Sequence, residues 1–262
     1  MTSVALGLAL AVGASVALNA SFLLQHAGSA GAAAITPLRP LATLRALLRS
    51  PLWAVGAAVG MAGWALHVTA LSHAPLSLVQ AFVAGGLALT VPMAAVGLGH
   101  RTRPDERRAA ALMVAALVLL ALGLHGTGRD AAFAAAALAA WLAALAFPAA
   151  ALAALVRGPG RPAALGLAGG LLYGAADLAI KALTGVAATR GLEDVLASPW
   201  LPVAATLSVA AFFAFQRGLQ AGRPVTIIAL MTAATNAGSI AGGFVVFGDR
   251  LGATPALGAA HV

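Results

Sequence analysis

The sequence predicts an all-α polytopic membrane protein, and three observations lead to this prediction. First, 61% of the residues are hydrophobic and only 8% are charged, whereas a soluble domain carries about 25% charged residues. Second, apolar stretches of about 17–25 residues, the length that crosses a bilayer as a helix, recur along the whole chain. Third, the basic residues lie between these stretches, as is typical of the loops of a membrane protein.

About nine membrane-spanning helices are predicted, the last of them cut short by the C-terminus. The stretch from Ala131 to Val156 contains no charge, which favours a span over a soluble alanine-rich helix. The N-terminal apolar run has no basic residue before it, so it is interpreted as a first span rather than a cleaved signal peptide. The predicted spans are 4–24, 52–72, 76–98, 108–125, 131–156, 163–185, 199–216 and 225–247, with a ninth that begins near residue 252. Residues 26–51, in which three prolines lie among Arg39, Arg45 and Arg49, are interpreted as a surface loop with one interfacial turn.

The arginines predict the orientation. The loops after the first, third, fifth and seventh spans hold 11 arginines, and the loops on the opposite side hold 3. The positive-inside rule then predicts a multi-pass protein of the cytoplasmic (inner or plasma) membrane with its N-terminus outside. The formal net charge of +8 is therefore interpreted as a topology signal, and no nucleic-acid partner is expected.

An internal repeat is predicted from two blocks that align without gaps at an offset of 149 residues. Pro75-Leu-Ser-Leu-Val-Gln with Gly99-His-Arg aligns with Pro224-Val-Thr-Ile-Ile-Ala and Gly248-Asp-Arg. Residues 1–128 are interpreted as a first four-helix repeat, 129–160 as a connecting helix and 161–262 as a second repeat, which an odd connector inverts. The same offset leaves the ninth helix roughly a dozen residues short of a full span, so the chain is interpreted as a fragment.

Two ionisable residues lie well inside a predicted span. Asp177 and Lys181 are one helical turn apart and share a face with Tyr173. A charge near the bilayer centre costs at least about 2.5–3.5 kcal/mol, so such a residue usually faces a partner or a cavity. The two residues are interpreted either as a neutralised pair that fixes the helix or, preferably, as a substrate or proton site. A weaker repeat match, at an offset of 156, sets them opposite Ser21 and Gln25.

Uncharged polar residues of the other spans complete the candidate set. Thr232, Thr235, Asn236 and Ser239 fall on one helical face, where they either hydrogen-bond to neighbouring helices or line a cavity for the solute. His67 is interpreted as an interhelical histidine or, as the alternative, a proton relay. The predicted substrate-binding residues are Asp177, Lys181, Tyr173, Asn19, Gln25, His67, Gln80, Thr232, Thr235 and Asn236.

Several of these segments resemble a known family. Ala70-Leu-Ser-His-Ala-Pro-Leu-Ser-Leu-Val-Gln-Ala-Phe, followed by Leu98-Gly-His-Arg, is similar to the signature of the drug/metabolite transporter (EamA-like) superfamily. In that superfamily the stretch ends in Gly-Glu-Arg, and here only Gly248-Asp-Arg keeps the acidic position. Ser21-Phe-Leu-Leu-Gln-His and Ser50-Pro-Leu-Trp resemble the NIPA-type branch, which is associated with magnesium transport.

The functional prediction is a secondary-type transporter that moves a small metabolite by alternating access between two inverted repeats. A magnesium transporter of the NIPA type is the first alternative, although Mg²⁺ favours carboxylate ligands and only Asp177 lies in the spans. A non-transporting membrane assembly protein is the second. No Walker A or His-Glu-x-x-His motif occurs, so neither an enzyme, a cofactor nor a metal site is predicted. The expected partners are the lipid bilayer and a small-molecule or ion substrate, with a homodimer left open.

Overall fold

The computed structural model describes residues 2–29, 31–76, 78–83, 85–86 and 133–249, and every regular element in these ranges is helical. The predicted span 108–125, the span from 252 onward and residues 87–98 of the third predicted span lie outside them. A short 3-10 turn at Gly158–Gly160 precedes the sixth helix. The helices are α1 (Thr2–Ser29), α2 (Pro40–Leu48), α3 (Pro51–His73), α4 (residues 76, 78–83 and 85–86), α5 (Ala135–Leu155), α6 (Arg161–Arg190), α7 (Leu192–Ala197), α8 (Trp200–Ala221) and α9 (Pro224–Phe247).

Six of these helices, α1, α3, α5, α6, α8 and α9, are long and apolar enough to cross a membrane. Their lengths of 21 to 33 residues match the hydrocarbon thickness at about 1.5 Å rise per residue. Because a lipid environment offers no partner for free backbone groups, helices are also the expected way for such segments to satisfy them. The prediction of an all-helical, multi-pass membrane protein is thus confirmed.

Helix ends are set by local chemistry rather than by the limits of the apolar runs. Ser50 precedes α3, and its Oγ accepts a hydrogen bond from the Trp53 amide at 3.4 Å. Ser198 precedes α8 and accepts one from the Trp200 amide, also at 3.4 Å. At the other end of α9, Gly248 takes the left-handed conformation (φ 67°), which lets the Gly248 and Asp249 amides donate to the Gly243 carbonyl. The glycine of the predicted Gly-x-Arg motif therefore terminates a helix.

Several predicted boundaries were wrong; α8, for example, ends at Ala221 and not at residue 216. Residues 26–51, predicted to be a surface loop with one interfacial turn, instead contain the end of α1 and the nine-residue helix α2. α1 continues to Ser29 because its last turn has polar partners, among them the Leu219 carbonyl at 3.0 Å from His26 Nδ1. α6 runs over Arg161–Arg190, longer than the predicted 163–185, because it ends at Gly191 (φ 99°) and not where its hydrophobicity falls.

Contacts between the helices fix their relative directions. α3 runs antiparallel to α1, with Trp53 beside Gly28 and Ala74 beside Gly7. α6 runs parallel to α3, because successive turns of the two helices meet at His67–Asp177 and Leu71–Lys181. α9 is also parallel to α6, since Ile227, Met231 and Thr235 lie in turn beside Gly166, Gly170 and Gly174. α8 is antiparallel to α6 and parallel to α1.

α6 lies at the centre of this arrangement and packs against α3, α5, α8 and α9. Of its most apolar window 72% is buried, against 22–50% for the other five candidate spans. Glycines allow this close packing: a Cβ at Gly169 would lie 2.8 Å from Phe215 Cβ, and one at Gly170 would lie 2.3 Å from the Met231 carbonyl oxygen. Small residues at helix contacts are typical of packing in membranes, where no hydrophobic force drives helices together.

The directions place the charges at opposite ends of the bundle. One end, which we call the arginine end, holds the loops and helix ends with Arg39, Arg45, Arg49, Arg157, Arg161, Arg217 and Arg223. The other end, which we call the acidic end, holds Glu193, Asp194 and Asp249, together with Arg190. Among the described residues, the basic side chains are therefore gathered mainly at one face of the predicted membrane span.

Candidate functional site

Asp177, near the middle of α6, is buried and hydrogen-bonded to side chains from three other helices. Its Oδ1 lies 3.2 Å from His67 Nε2 of α3. Its Oδ2 accepts hydrogen bonds from Gln80 Nε2 of α4 at 2.5 Å and from Ser239 Oγ of α9 at 3.4 Å. Burial of a carboxylate away from water is tolerable only with such partners. The structure thus brings together three of the predicted site residues, Asp177, His67 and Gln80; we call these three with Ser239 the Asp177 cluster.

Two polar atoms of the Asp177 cluster lack a partner among the described residues. These are His67 Nδ1 and Gln80 Oε1, both on buried side chains. A buried polar atom without a partner costs about 1–3 kcal/mol, so such atoms usually have a function or an unseen partner. They give the cluster the capacity to accept further hydrogen bonds, and His67 Nδ1 can also donate one in its protonated form.

The Asp177–His67 contact can hold a proton in two ways. A hydrogen bond between a carboxylate oxygen and an imidazole nitrogen at 3.2 Å requires one proton between them. Either His67 Nε2 donates to the carboxylate, or a protonated Asp177 donates to Nε2. The hydrogen bond is therefore compatible with the shared proton on either partner.

Lys181, one turn after Asp177, binds a different part of the structure. Its Nζ donates to the Leu71 carbonyl at 2.8 Å and to the Ala74 carbonyl at 2.9 Å. The Leu71 carbonyl would normally accept from the amide four residues later, but that residue is Pro75, which has no N–H. A cation at the C-terminus of a helix is also favoured by the helix dipole. Lys181 therefore caps the C-terminal end of α3.

Replacement of Lys181 by methionine is expected to destabilise the protein by about 1.5–3 kcal/mol, the value of hydrogen bonds made by a charged group. The change leaves the carbonyls at the end of α3 without this donor and keeps most of the unbranched side chain. Thermal unfolding in detergent would measure the effect. Arg190→Met removes a cation from the exposed end of the same helix and serves as the control. Equal midpoints for the two variants would contradict the capping role.

Tyr173, one turn before Asp177, lies in an aromatic group. Its ring centroid is 6.4 Å from that of Phe215, and Phe215 is 5.0 Å from Phe22, both in edge-to-face geometry. Such pairs contribute about 0.5–1.5 kcal/mol each beyond the area that they bury. These three rings, the aromatic layer, join α6 to α8 and α1. They are on the side of the Asp177 cluster that faces the arginine end.

Gln25 belongs to a separate polar cluster nearer the arginine end. Its Nε2 donates to Ser21 Oγ at 2.5 Å, and its Oε1 accepts a hydrogen bond from Gln216 Nε2 of α8. Gln216 Oε1 is buried and has no partner among the described residues. We call Ser21, Gln25 and Gln216 the amide cluster. The amide cluster lies beside Gly56 of α3, about three helical turns from His67. It therefore does not share a pocket with Asp177.

The remaining predicted residues make contacts between or within helices. Thr235 Oγ1 donates to the Gly170 carbonyl at 3.0 Å, so at least part of the polar face of α9 binds α6. Asn236 Nδ2 donates to the Thr232 carbonyl at 2.7 Å, and Asn236 Oδ1 has no partner among the described residues. Asn19 Nδ2 donates to the Ser15 carbonyl at 2.8 Å. The structure does not bring these residues into the Asp177 cluster.

Two polar contacts were missed in the sequence. Gln220 Nε2 donates to the carbonyls of Ser29, Ala32 and Ala33, and thereby fixes the chain that leaves α1. Trp141 Nε1 donates to the Gly238 carbonyl at 3.1 Å and links α5 to α9. Neither contact has a sequence signal, because the acceptors are backbone carbonyls that come close to the donor side chain only when the helices pack. Lys181 did have a signal, namely the acceptor that Pro75 leaves open in α3.

Comparison of the chain with protein-family models, with curated proteins and with solved structures found no match.

Proposed function

We propose that the chain is a secondary-type transporter that moves a small metabolite across the cytoplasmic membrane along a path through the Asp177 cluster. The observation that carries this proposal is a buried carboxylate in the middle of α6, bonded to His67, Gln80 and Ser239 from three other helices. Intramembrane ionisable residues that face the interior of a helix bundle mark substrate or proton paths. Here the same cluster offers open polar atoms to a solute.

The order of the helices supports the proposed internal repeat. A long helix, a short helix, a helix with Ser-Pro near its start and a helix with a proline at its start occur as α1 to α4 and again as α6 to α9. Ser50 and Ser198, each followed by a proline, both accept a backbone hydrogen bond near the start of the next helix, from the Trp53 amide three residues on and from the Trp200 amide two residues on. Pro75, just before α4, and Pro224, the first residue of α9, are separated by the offset of 149 residues. We propose that α5 is the connecting helix.

The directions of the helices support an inversion between the two copies. Since α6 is parallel to α3 and α3 is antiparallel to α1, the first helices of the two copies run in opposite directions. The contacts are also reciprocal: α6 of the second copy meets α3 of the first at Asp177–His67, and α1 meets α8 at Gln25–Gln216. At the offset of 149 residues, His67 corresponds to Gln216. The amide cluster would then be the uncharged counterpart of the Asp177 cluster.

Alternating access requires that the path be closed on one side at a time. The aromatic layer lies between the Asp177 cluster and the amide cluster, and Lys181 joins α6 to the end of α3 on the other side. We propose that these two contacts close the path towards the arginine end and the acidic end, respectively. If one repeat rocks against the other, either contact can open while Asp177 stays in the middle of the path.

We propose that the arginine end is cytoplasmic and the N-terminus outside, in accord with the positive-inside rule. The chain contains no cysteine, so single cysteines can be introduced without background. Ala42→Cys at the arginine end is expected to react with a membrane-impermeant maleimide only after the membrane is opened, and Ala188→Cys at the acidic end should react in intact cells. Both positions are exposed. Labelling of both variants in intact cells, or the reverse pattern, would contradict this topology.

The Asp177 cluster favours a polar organic solute or a proton over magnesium. Both carboxylate oxygens of Asp177 already have hydrogen-bond partners: His67 Nε2 at Oδ1, and Gln80 Nε2 and Ser239 Oγ at Oδ2. Mg²⁺ usually binds one or two carboxylates and retained waters. Membership of the drug/metabolite transporter superfamily, and of its NIPA-type branch, stays a proposal that rests on the sequence segments quoted above. No observation on the described residues favours a non-transporting assembly protein.

A solute screen in proteoliposomes tests the proposal. The full chain would be reconstituted and supplied with pools of labelled metabolites and with Mg²⁺, with and without a pH gradient. The expected result is uptake of a polar metabolite above that of protein-free liposomes. Uptake of Mg²⁺ alone would favour the NIPA-type alternative. Absence of flux for every pool, with a protein that is folded and correctly inserted, would leave the assembly role as the better explanation.

A further inference from the structure

The short helix α2 presents three different faces. Thr43 and Leu47 are buried against the rest of the protein. Leu41, Leu44 and Leu48 form an exposed apolar stripe, since their spacing of three and four residues returns them to one side of the helix. Leu41 is 81% exposed, and Leu38, just before the helix, is 88% exposed. So much leucine surface beside a membrane-spanning bundle is the pattern of a helix that lies in the membrane interface.

Arginines flank the leucine stripe. Arg45 is one turn from Leu41 and Leu48, Arg49 follows the helix one turn later, and Arg39 precedes it. All three side chains are exposed. Among the described residues, the acidic side chains lie at the acidic end or, for Asp177, in the middle of the bundle. No described carboxylate is therefore available to neutralise the arginines of α2.

The residues around α2 contact both proposed repeats. Leu47 packs with Ile35 and Trp53, and this small core contacts Phe212 and Phe213 of α8. The Ile35 amide donates to Gln220 Oε1 at 3.0 Å, so α8 also holds the chain by a hydrogen bond. α2 is thus held at the level where α1 ends and α3 begins, and its free surface faces outward from that level.

We propose that α2 is an interfacial helix that binds the anionic headgroups of phospholipids in the leaflet at the arginine end. The leucine stripe enters the acyl boundary, and Arg39, Arg45 and Arg49 bind headgroup phosphates at the edge of the stripe. Arginine suits this role because its planar guanidinium binds phosphate through two hydrogen bonds. Because the segment contacts α1, α3 and α8, the bound lipid stabilises the contact between the two proposed repeats. This inference does not depend on transport.

Lipid retention by the purified full chain tests the proposal. The protein in an uncharged detergent is incubated with equal amounts of phosphatidylglycerol and phosphatidylcholine, and the retained lipids are measured by mass spectrometry. The wild-type chain is expected to retain phosphatidylglycerol preferentially, and its thermal midpoint should rise with the fraction of that lipid. The triple variant Arg39→Gln, Arg45→Gln, Arg49→Gln should lose roughly 100-fold in apparent affinity, at about fivefold for each arginine near the surface.

Two matched variants separate this helix from the general charge of the arginine end. Arg157→Gln, Arg161→Gln, Arg223→Gln removes three exposed arginines from the same end without touching α2, and should keep the preference. Replacement of Arg39, Arg45 and Arg49 by lysine keeps the charges and should keep most of the affinity. The proposal is overturned if both glutamine triples lose the preference equally. It is also overturned if the α2 triple changes only the oligomeric state, since the stripe would then bind a second copy of the chain.

Discussion

Replacement of Asp177 by asparagine is expected to abolish pH-dependent uptake in proteoliposomes, to the level of protein-free liposomes. Asparagine is nearly the same size, and its oxygen can still accept one of the hydrogen bonds from Gln80 Nε2 and His67 Nε2. What it lacks is the ability to bind and release a proton. Initial rates of uptake at several internal and external pH values, with equal amounts of reconstituted protein, measure the effect.

The control for this experiment is Asp194→Asn, which removes a carboxylate from the exposed acidic end. It should leave both the rate and its pH dependence unchanged. His67→Gln is a second arm: it removes the other proton-holding member of the pair and should also flatten the pH dependence. An Asp177→Asn protein that takes up solute with the wild-type pH profile would refute proton coupling at this cluster. Loss of solute binding together with all flux would instead indicate a direct substrate contact.

Replacement of Gly170 by alanine is expected to lower stability by about 3 kcal/mol, at the upper end of the usual cost of overpacking. The added Cβ would lie 2.3 Å from the Met231 carbonyl oxygen and 2.8 Å from Ala234 Cβ. Since the nearest atom belongs to the backbone of α9, the two helices must move apart. That movement also stretches the hydrogen bond from Thr235 Oγ1 to the Gly170 carbonyl. The thermal midpoint in detergent reports the loss.

Gly160→Ala is the matched control, because its Cβ would meet nothing nearer than Val156 Cγ1 at 3.9 Å. Both glycines have ordinary helical or near-helical φ angles, so the backbone conformation does not distinguish them. The control should unfold at the wild-type temperature. If Gly170→Ala also does so, the close approach of α6 and α9 is not needed for stability.

The class of the fold could be predicted because it depends on composition and on the length of apolar runs. The exact helices could not. The prolines and arginines of residues 26–51 predict a surface loop with one interfacial turn, yet Pro40 begins the nine-residue helix α2, where its missing amide costs nothing. The ends of α1 and α6 depend on a tertiary hydrogen bond and on a glycine with positive φ. Hydrophobicity reports neither.

The candidate site was partly visible in the sequence. Asp177 stood out because a charge in an apolar span needs a partner, and this argument does not depend on the fold. The identity of that partner does: His67 and Gln80 are more than 90 residues away along the chain. The spacing of Asp177 and Lys181 suggested one shared role, but one turn of helix moves Lys181 along the axis to the end of α3. Positions on a common face can therefore serve different neighbours.

The burial of α6 has a consequence for biosynthesis. A helix that enters the bilayer alone with an aspartate and a lysine near its centre meets a penalty of about 2.5–3.5 kcal/mol for each. His67, Leu71, Ala74 and Gln80, which bind these two side chains, all precede α6 in the chain and leave the ribosome before it. Asp177 and Lys181 can thus form hydrogen bonds with helices that are already in the membrane when α6 is inserted. The later helices α8 and α9 then close around its glycines.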